Sequence, residues 1–366
     1  AVGVALAPLT DLHELVVVRA LFIPIGLFTI LATQRLAKDI WGNRWIAWIA
    51  GLSLLALEPL LYVTLAGPRP KVLAVFFAVT TLLAIVRSRW LVSGILASLA
   101  FLSWQPAAVV WVTAGVASLV FREGFRAPLR LAVGAVIPLL IVSGYFAWVG
   151  ALQTFLDSAL LVHLNYSSQS ESPIVHLYRM WDTGVRRIGP MFLPVVLGCL
   201  AFLVLSVRSL TGRGSGLARA FGPTALCFLL FFAFSVGDFQ GVPDWLPLLP
   251  FACLGFGKAW WELARWVGSL SPRLEAATCW VGVAFCAVFV GLAATEGGHG
   301  LFRDQEQRTQ EILRDFAPGD SVVFIGATEF LALSNLRSAT PHVLITPRGI
   351  VGYMEDTVPG GLAGWL

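Results

Sequence analysis

WLVSGILASLAFLSWQPAAVVWVTAGVASLVF, running from Trp90 to Phe121, decides the fold. These 32 residues carry no ionised side chain. As one helix they would extend about 48 Å, far beyond a hydrocarbon core of about 30 Å. Pro106, with Gln105 before it, marks the break, because proline removes a helix donor and pushes its predecessor out of the helical region. The stretch predicts two short spans folded into a hairpin with its tip at Ser103–Pro106. Arg122, Arg126 and Arg130 then hold the following connection on the cytoplasmic side. A further span, Leu131–Val149, returns to the opposite face.

Working outward, apolar runs of spanning character cover Leu15–Leu36, Trp45–Ala66 and Val72–Val86 before the hairpin. Pro190–Val207, Phe221–Val236, Trp245–Leu263 and Ala276–Ala294 follow it. Basic residues recur on alternate connections: Arg35, Lys38 and Arg44, then Arg87 and Arg89, the Arg122–Arg130 loop, RSLTGRGSGLAR, and Arg265 with Arg273. The expected fold class is therefore an all-α polytopic membrane protein of about ten transmembrane helices, with the basic connections inside. Residues 1–14 read as the end of an outer loop, 15–295 as the membrane domain, and 150–189 as a long outer loop within it. From Glu296 the composition changes: FRDQEQRTQEILRDF has helical spacing, SVVFIG and HVLIT read as strands, and ATEFLALSNL lies between them as a helix. Residues 296–366 are thus expected to form an extracytoplasmic α/β segment, cut short at Leu366. The chain opens at Ala1 without an initiator Met or a basic leader, so a piece cut at both ends is expected.

The totals agree. Hydrophobic residues make up 57% of the chain and charged residues 13%. The net charge of +4 does not point to nucleic acid, because 14 of the 25 Lys and Arg fall in or beside the connections assigned to the cytoplasm. All five cysteines lie in apolar runs without CxxC spacing, and no two of the five histidines have the spacing of a helical metal pair. Walker, HExxH, GxSxG and Ser/His/Asp signatures are absent from the sequence.

Ionisable groups at membrane depth are costly and therefore informative. Glu58, followed by Pro59, lies about two turns inside the outer boundary, where it either lines a cavity or pairs with Arg19 or Arg69. Gln105 at the hairpin tip either lines a cleft or satisfies backbone groups freed by Pro106. Asp238 and Asp244 flank the outer turn GDFQGVPD. There a carboxylate suits a metal or a sugar hydroxyl; turn formation is the plainer role for Asp238 and helix capping for Asp244. Arg179, Arg186 and Arg187 either grip a phosphate or belong to a solvated amphipathic helix on the membrane. Gly326, after the SVVFIG strand, is read as turn geometry in preference to an anion site.

The order of these features resembles membrane glycosyltransferases of the C-type fold, specifically family 39 and its bacterial relatives, which include the dolichyl-phosphate-mannose–protein mannosyltransferases. The similar pieces are VVVRALFIPIGLFTILATQRLAKDIWGNR, LEPLLYVTLAGPRPKVLAVFF, LVSGILASLAFLSWQPAAVVWV, GYFAWVGALQTFLDSALL and DFQGVPDWLPLLPF, with the outer α/β tail last. The likeness covers nearly the whole chain, each piece being a loose apolar pattern. It implies an enzyme of the bacterial inner membrane, mannosyltransferase-like. Such an enzyme moves a sugar from a polyprenyl-phosphate donor to a glycan, lipid or protein acceptor on the extracytoplasmic face. It implies inverting transfer: a carboxylate takes the acceptor's proton while the lipid phosphate leaves, its charge offset by Arg or Lys. Arg69 and Lys71 are the residues this assigns to the phosphate. Glu58, Gln105 and Asp244 complete the substrate-binding candidates. The catalytic acid is expected on a first outer loop upstream of Ala1. The likeness fixes no cofactor, though such a family would admit a divalent metal. Two departures weigh against a metal: Lys71 stands where relatives often have an acid, and Trp104 where many have Lys. The rival expectations are a transporter or flippase for a lipid-linked substrate, against which no inverted repeat is visible, and a non-catalytic membrane scaffold.

Overall fold

The computed structural model describes residues 14–65, 69–121, 124–157, 172–210 and 218–296, together with 307, 311, 314, 321–322 and 337–338. The chain falls into two compact units. One comprises Ala1–Val18, Ala151–Ser170 and Gly298–Leu366; the other comprises Arg19–Gly150 and Glu171–Gly297.

The larger unit is helical throughout its described residues. In chain order its helices are α1 (Glu14–Trp41), α2 (Arg44–Leu55), α3 (Glu58–Leu65), α4 (Pro70–Val86), α5 (Trp90–Ser103), α6 (Ala108–Val120) and α7 (Arg126–Trp148). After α8 (Leu152–Leu156), which belongs to the other unit, come α9 (Pro173–Arg187), α10 (Phe192–Leu210), α11 (Ala218–Gly237), α12 (Leu249–Gly268) and α13 (Pro272–Glu296). Among the described residues five helices are long and apolar enough to cross a membrane, within α1, α7, α10, α11 and α13. The bent pair α2–α3 makes a sixth if counted as one span. This is the architecture of a multi-pass helical membrane protein.

Local chemistry sets the helix ends. Asn43 caps α2, its side-chain oxygen accepting the Trp45 and Ile46 N–H groups at 2.7 and 3.3 Å. Arg69 is extended ahead of α4, and Pro70 fills the first helical position, where its missing N–H costs nothing. Ser172 and Pro173 start α9 in the same way. The break predicted at the hairpin is present: Trp104 is extended, Gln105–Ala107 form a 3-10 turn, and α5 and α6 lie on either side.

Two expectations need correction. Trp45–Ala66 is not one straight span: Ala56 and Leu57 separate α2 from α3, and the axes bend by 59°. Pro59 sits in the first turn of α3, where proline is tolerated, so the break falls ahead of it. Residues 150–189 are not a plain loop, because 152–156 and 173–187 are helical. Most of the expected α/β segment, with HVLIT and Gly326, lies outside the described residues, as do 1–13, 158–171 and Arg122. In that C-terminal region Ser321–Val322 pair in parallel with Arg337–Ser338.

The core is held by close helix contact and aromatic rings. Gly94 of α5 and Gly134 of α7 face each other so closely that a Cβ on either would collide with the other helix's backbone. Ser98 donates to the Ala135 carbonyl at 2.7 Å beside this contact. Gly198 of α10 and Gly255 of α12 repeat the arrangement. Small residues are what membrane helices need to approach this way, since lipid supplies no hydrophobic drive to bring them together. Residues Leu249 to Gly257 of α12 are all buried, so this half-helix forms the centre against which α2, α10 and α13 pack. Phe202, Phe221, Phe228, Phe231 and Phe251 form one ring cluster among α10, α11 and α12, with centroids 5.0–6.3 Å apart.

Candidate functional site

Three of the elements meet at one end of the larger unit. Lys71 stands in the first turn of α4 and Asp244 closes the 3-10 turn Val242–Asp244 ahead of α12. Although 173 positions apart in sequence, the Lys71 ammonium and the Asp244 carboxylate form a direct ion pair. The ammonium also lies 5.0 Å from the ring centre of Trp104, the extended residue at the hairpin break. Trp104 in turn stacks on Phe231 at 6.3 Å and meets Phe234 edge-on at 5.4 Å, which anchors it to the aromatic core.

Asp244 is 3% exposed, so its charge needs full compensation. One oxygen takes the ammonium, while the other accepts the Gln240 and Gly241 N–H groups at 2.7 and 3.1 Å. Gly241, at φ +151°, permits the sharp turn that aims both donors inward. The plainer expectation for Asp244, capping the following helix, is therefore corrected: it closes its own turn and ties that turn to α4. Asp238 keeps the plain role, its half-buried carboxylate accepting from the Gln240 side chain at 3.0 Å.

His176 extends the network, although nothing in its sequence context singles it out. It is buried in α9, with Nδ1 3.2 Å from both the backbone N and O of Phe239, in the same turn. Either tautomer satisfies one of those two groups. Nε2 has no partner among the described residues, and neither does the buried Nε1 of Trp245. Phe239 and Trp245 meet at 6.3 Å and Trp245 and Phe192 at 5.8 Å. A chain of direct contacts thus runs from α9 through the turn to α4 and the hairpin break.

The other candidates stand apart. Glu58 is half-buried at the start of α3 and forms no ion pair among the described residues. Gln105 is half-buried, and its side chain makes no hydrogen bond among the described residues. Arg69 occupies the exposed N-cap of α4, two residues from Lys71. Among the described residues no three His, Cys, Asp or Glu converge on one point. A divalent metal does not fit: both Asp244 oxygens are engaged, and the one further acid of the turn, Asp238, accepts from the Gln240 side chain.

Asp39 is a second residue that the sequence did not single out. It receives Arg35 at 3.1 Å and Arg87 at 2.7 Å, joining the end of α1 to the end of α4. Helix α4 is thereby clamped by an ion pair at each end.

Compared with models of known families, with curated proteins and with solved structures, the chain matches none of them.

Proposed function

We propose that the protein is an inner-membrane glycosyltransferase of the C-type fold, with about ten spans and its active face extracytoplasmic. The substrates are a sugar carried on polyprenyl phosphate and a glycan, lipid or protein acceptor. The observation that carries this reading is the convergence of Lys71, buried Asp244 and Trp104 at the helix end opposite the Arg35–Asp39–Arg87 cluster. In this reading the basic connections lie at that opposite end, which the sidedness rule makes the cytoplasmic face. The 20-residue α12 and three shorter apolar helices supply the remaining spans: α4, α5 and the Gln105–Val120 segment have 17, 14 and 16 residues.

In this reading the acceptor hydroxyl attacks the sugar's anomeric carbon, and the bond from that carbon to the phosphate oxygen breaks. The polyprenyl phosphate leaves with the electron pair, and a carboxylate base takes the hydroxyl proton. Lys71 supplies positive charge at the phosphate. Asp244 holds the ammonium in place, and Trp104 offers a flat apolar face next to it. Arg69, exposed at the head of the same helix, supplies a second cation.

A transporter of a lipid-linked substrate is the second reading, favoured by the 59° bend at Ala56–Leu57 and the break at Trp104–Ala107. Both interruptions fall before residue 121, and the described residues of the second half hold no matching pair. The deciding experiment gives membranes containing the full-length protein a radiolabelled polyprenyl-phosphate sugar. Transfer to acceptor that is lost in Lys71→Met supports the enzyme. Movement of the donor across vesicles without transfer supports the transporter, and neither activity supports a scaffold.

A further inference from the structure

Helix α9 has three stripes, of which the protein itself uses one. His176, Met180 and Gly184 recur every fourth residue and are buried. A Cβ at Gly184 would collide with the Phe192 ring, so this stripe is seated directly on the head of α10. Arg179, Asp182 and Arg186 form a polar stripe, Arg186 pairing with Asp182 at 2.8 Å. The third stripe is apolar and exposed: Ile174 (76%), Leu177, Tyr178 (68%), Trp181 (57%) and Val185. Its spacing of three, four, seven and eleven residues places these side chains on one continuous face.

We infer that this third stripe lies in the bilayer itself, at the headgroup–acyl boundary of the leaflet at the Lys71 end. Three observations choose lipid over other occupants. First, α9 runs through the Gly189–Met191 turn directly into α10, whose Gly189–Ser209 segment is long and apolar enough to span, so its C-terminal end is fixed at a membrane boundary. Second, the stripe continues into the exposed apolar face of that span: Trp181 packs edge-on against Phe192 at 5.2 Å, and Leu193, Leu197, Leu200 and Val204 follow exposed. Third, the stripe pairs Trp and Tyr with aliphatic residues beside an arginine-bearing face, the composition of helices that lie in the interface plane at a depth of about 5–10 Å. Through His176 this lipid-seated helix is fastened to the turn carrying Asp244, so the bilayer surface positions one wall of the candidate site. The inference requires the membrane but does not require sugar transfer.

The test places single nitroxide labels on cysteines at Leu177, Trp181, Val185, Asp182 and Arg186 of the full chain in phosphatidylcholine–phosphatidylglycerol vesicles, with the unsubstituted protein as background. Collision rates are measured with oxygen, which concentrates in lipid, and with a water-soluble nickel chelate. Oxygen collisions should exceed nickel collisions at 177, 181 and 185, and the order should reverse at 182 and 186. Equal nickel access at all five positions would mean a solvated helix. Shielding of 177, 181 and 185 from both reagents would mean a protein cover. Either result overturns the inference. Leu177 and Val185 carry the test even if Trp181→Cys disturbs the ring contact with Phe192.

Discussion

Replacing Lys71 by Met should destabilise the helical unit strongly, and the size can be worked from the pair itself. Removing one partner of a buried ion pair costs about 3–5 kcal/mol, because the other charge is left without compensation. Two features pull Lys71→Met to the lower bound, about 3 kcal/mol. Asp244 keeps its two backbone N–H bonds, and the Lys71 side chain is 22% exposed. At about 2–4 °C per kcal/mol for large chains, the expected fall in Tm is about 6–12 °C. Asp244→Asn should cost less, about 1–2 kcal/mol. Its amide oxygen can still accept both N–H groups, and the ammonium keeps the Trp104 ring and some solvent. The double variant should be less destabilised than the sum of the two by at least about 1 kcal/mol, the signature of direct coupling. Four of the five cysteines are buried and Cys199 is half-buried, so a thiol-reactive fluorogenic maleimide reports unfolding without added labels. Strict additivity, or a Lys71→Met protein melting within a degree of the parent, would refute the claim that this pair closes the site.

Further outcomes follow from the packing and the charge layout. Gly94→Leu and Gly134→Leu should each abolish a monodisperse peak in gel filtration, since overpacking costs about 1–3 kcal/mol even where neighbours can move, and here the obstacle is backbone. Gly144→Ala, with nothing near its missing Cβ, should leave the profile intact. Asp39→Asn should lower Tm only slightly, about 1 kcal/mol or less, because the Arg35 and Arg87 partners are part-exposed and share its carboxylate. Cysteines at Ser88 and Gln240 should react with an impermeant maleimide from opposite sides of sealed vesicles; labelling from the same side would void the proposed orientation.

The hairpin was legible because one proline in an uncharged run overrides every other local preference: Pro106 breaks the helix where the chain must turn. Glu58-Pro59 gave a similar signal, yet the break lies just ahead of it at Ala56–Leu57, because proline suits the first turn of a new helix. In the long polar connection an amphipathic helix was one of two readings of Arg179, Arg186 and Arg187, and α9 is that helix, with a buried stripe its charges did not reveal. Within the site, Lys71 and Asp244 were each visible as polar residues at helix ends. Their partnership was not, since contact between residues 173 positions apart is set by tertiary packing. Trp104 was noticed only as a departure from the family pattern, and the structure gives it a task, as the surface over which the ammonium rests. Gly94, Ser98 and Gly134 held the helix-packing code, which becomes readable once it is known which helices are neighbours.

Helix α4 also bears on the shape of the lipid around the protein. Its 17 residues reach about 25 Å, and both ends are pinned by charge pairs that resist being drawn into oil. The next two helices in the chain are no longer. If α4 and its two successors span as proposed, a sheet of lipid about 30 Å thick has to thin beside them, at a fraction of a kcal/mol for each ångström. Such a dimple lowers the headgroups toward Lys71, shortening the climb for any phosphate borne on a lipid tail. Vesicles of longer-chained lipids should therefore slow the proposed transfer, and an unchanged rate across chain lengths would show that the membrane keeps its full depth beside α4.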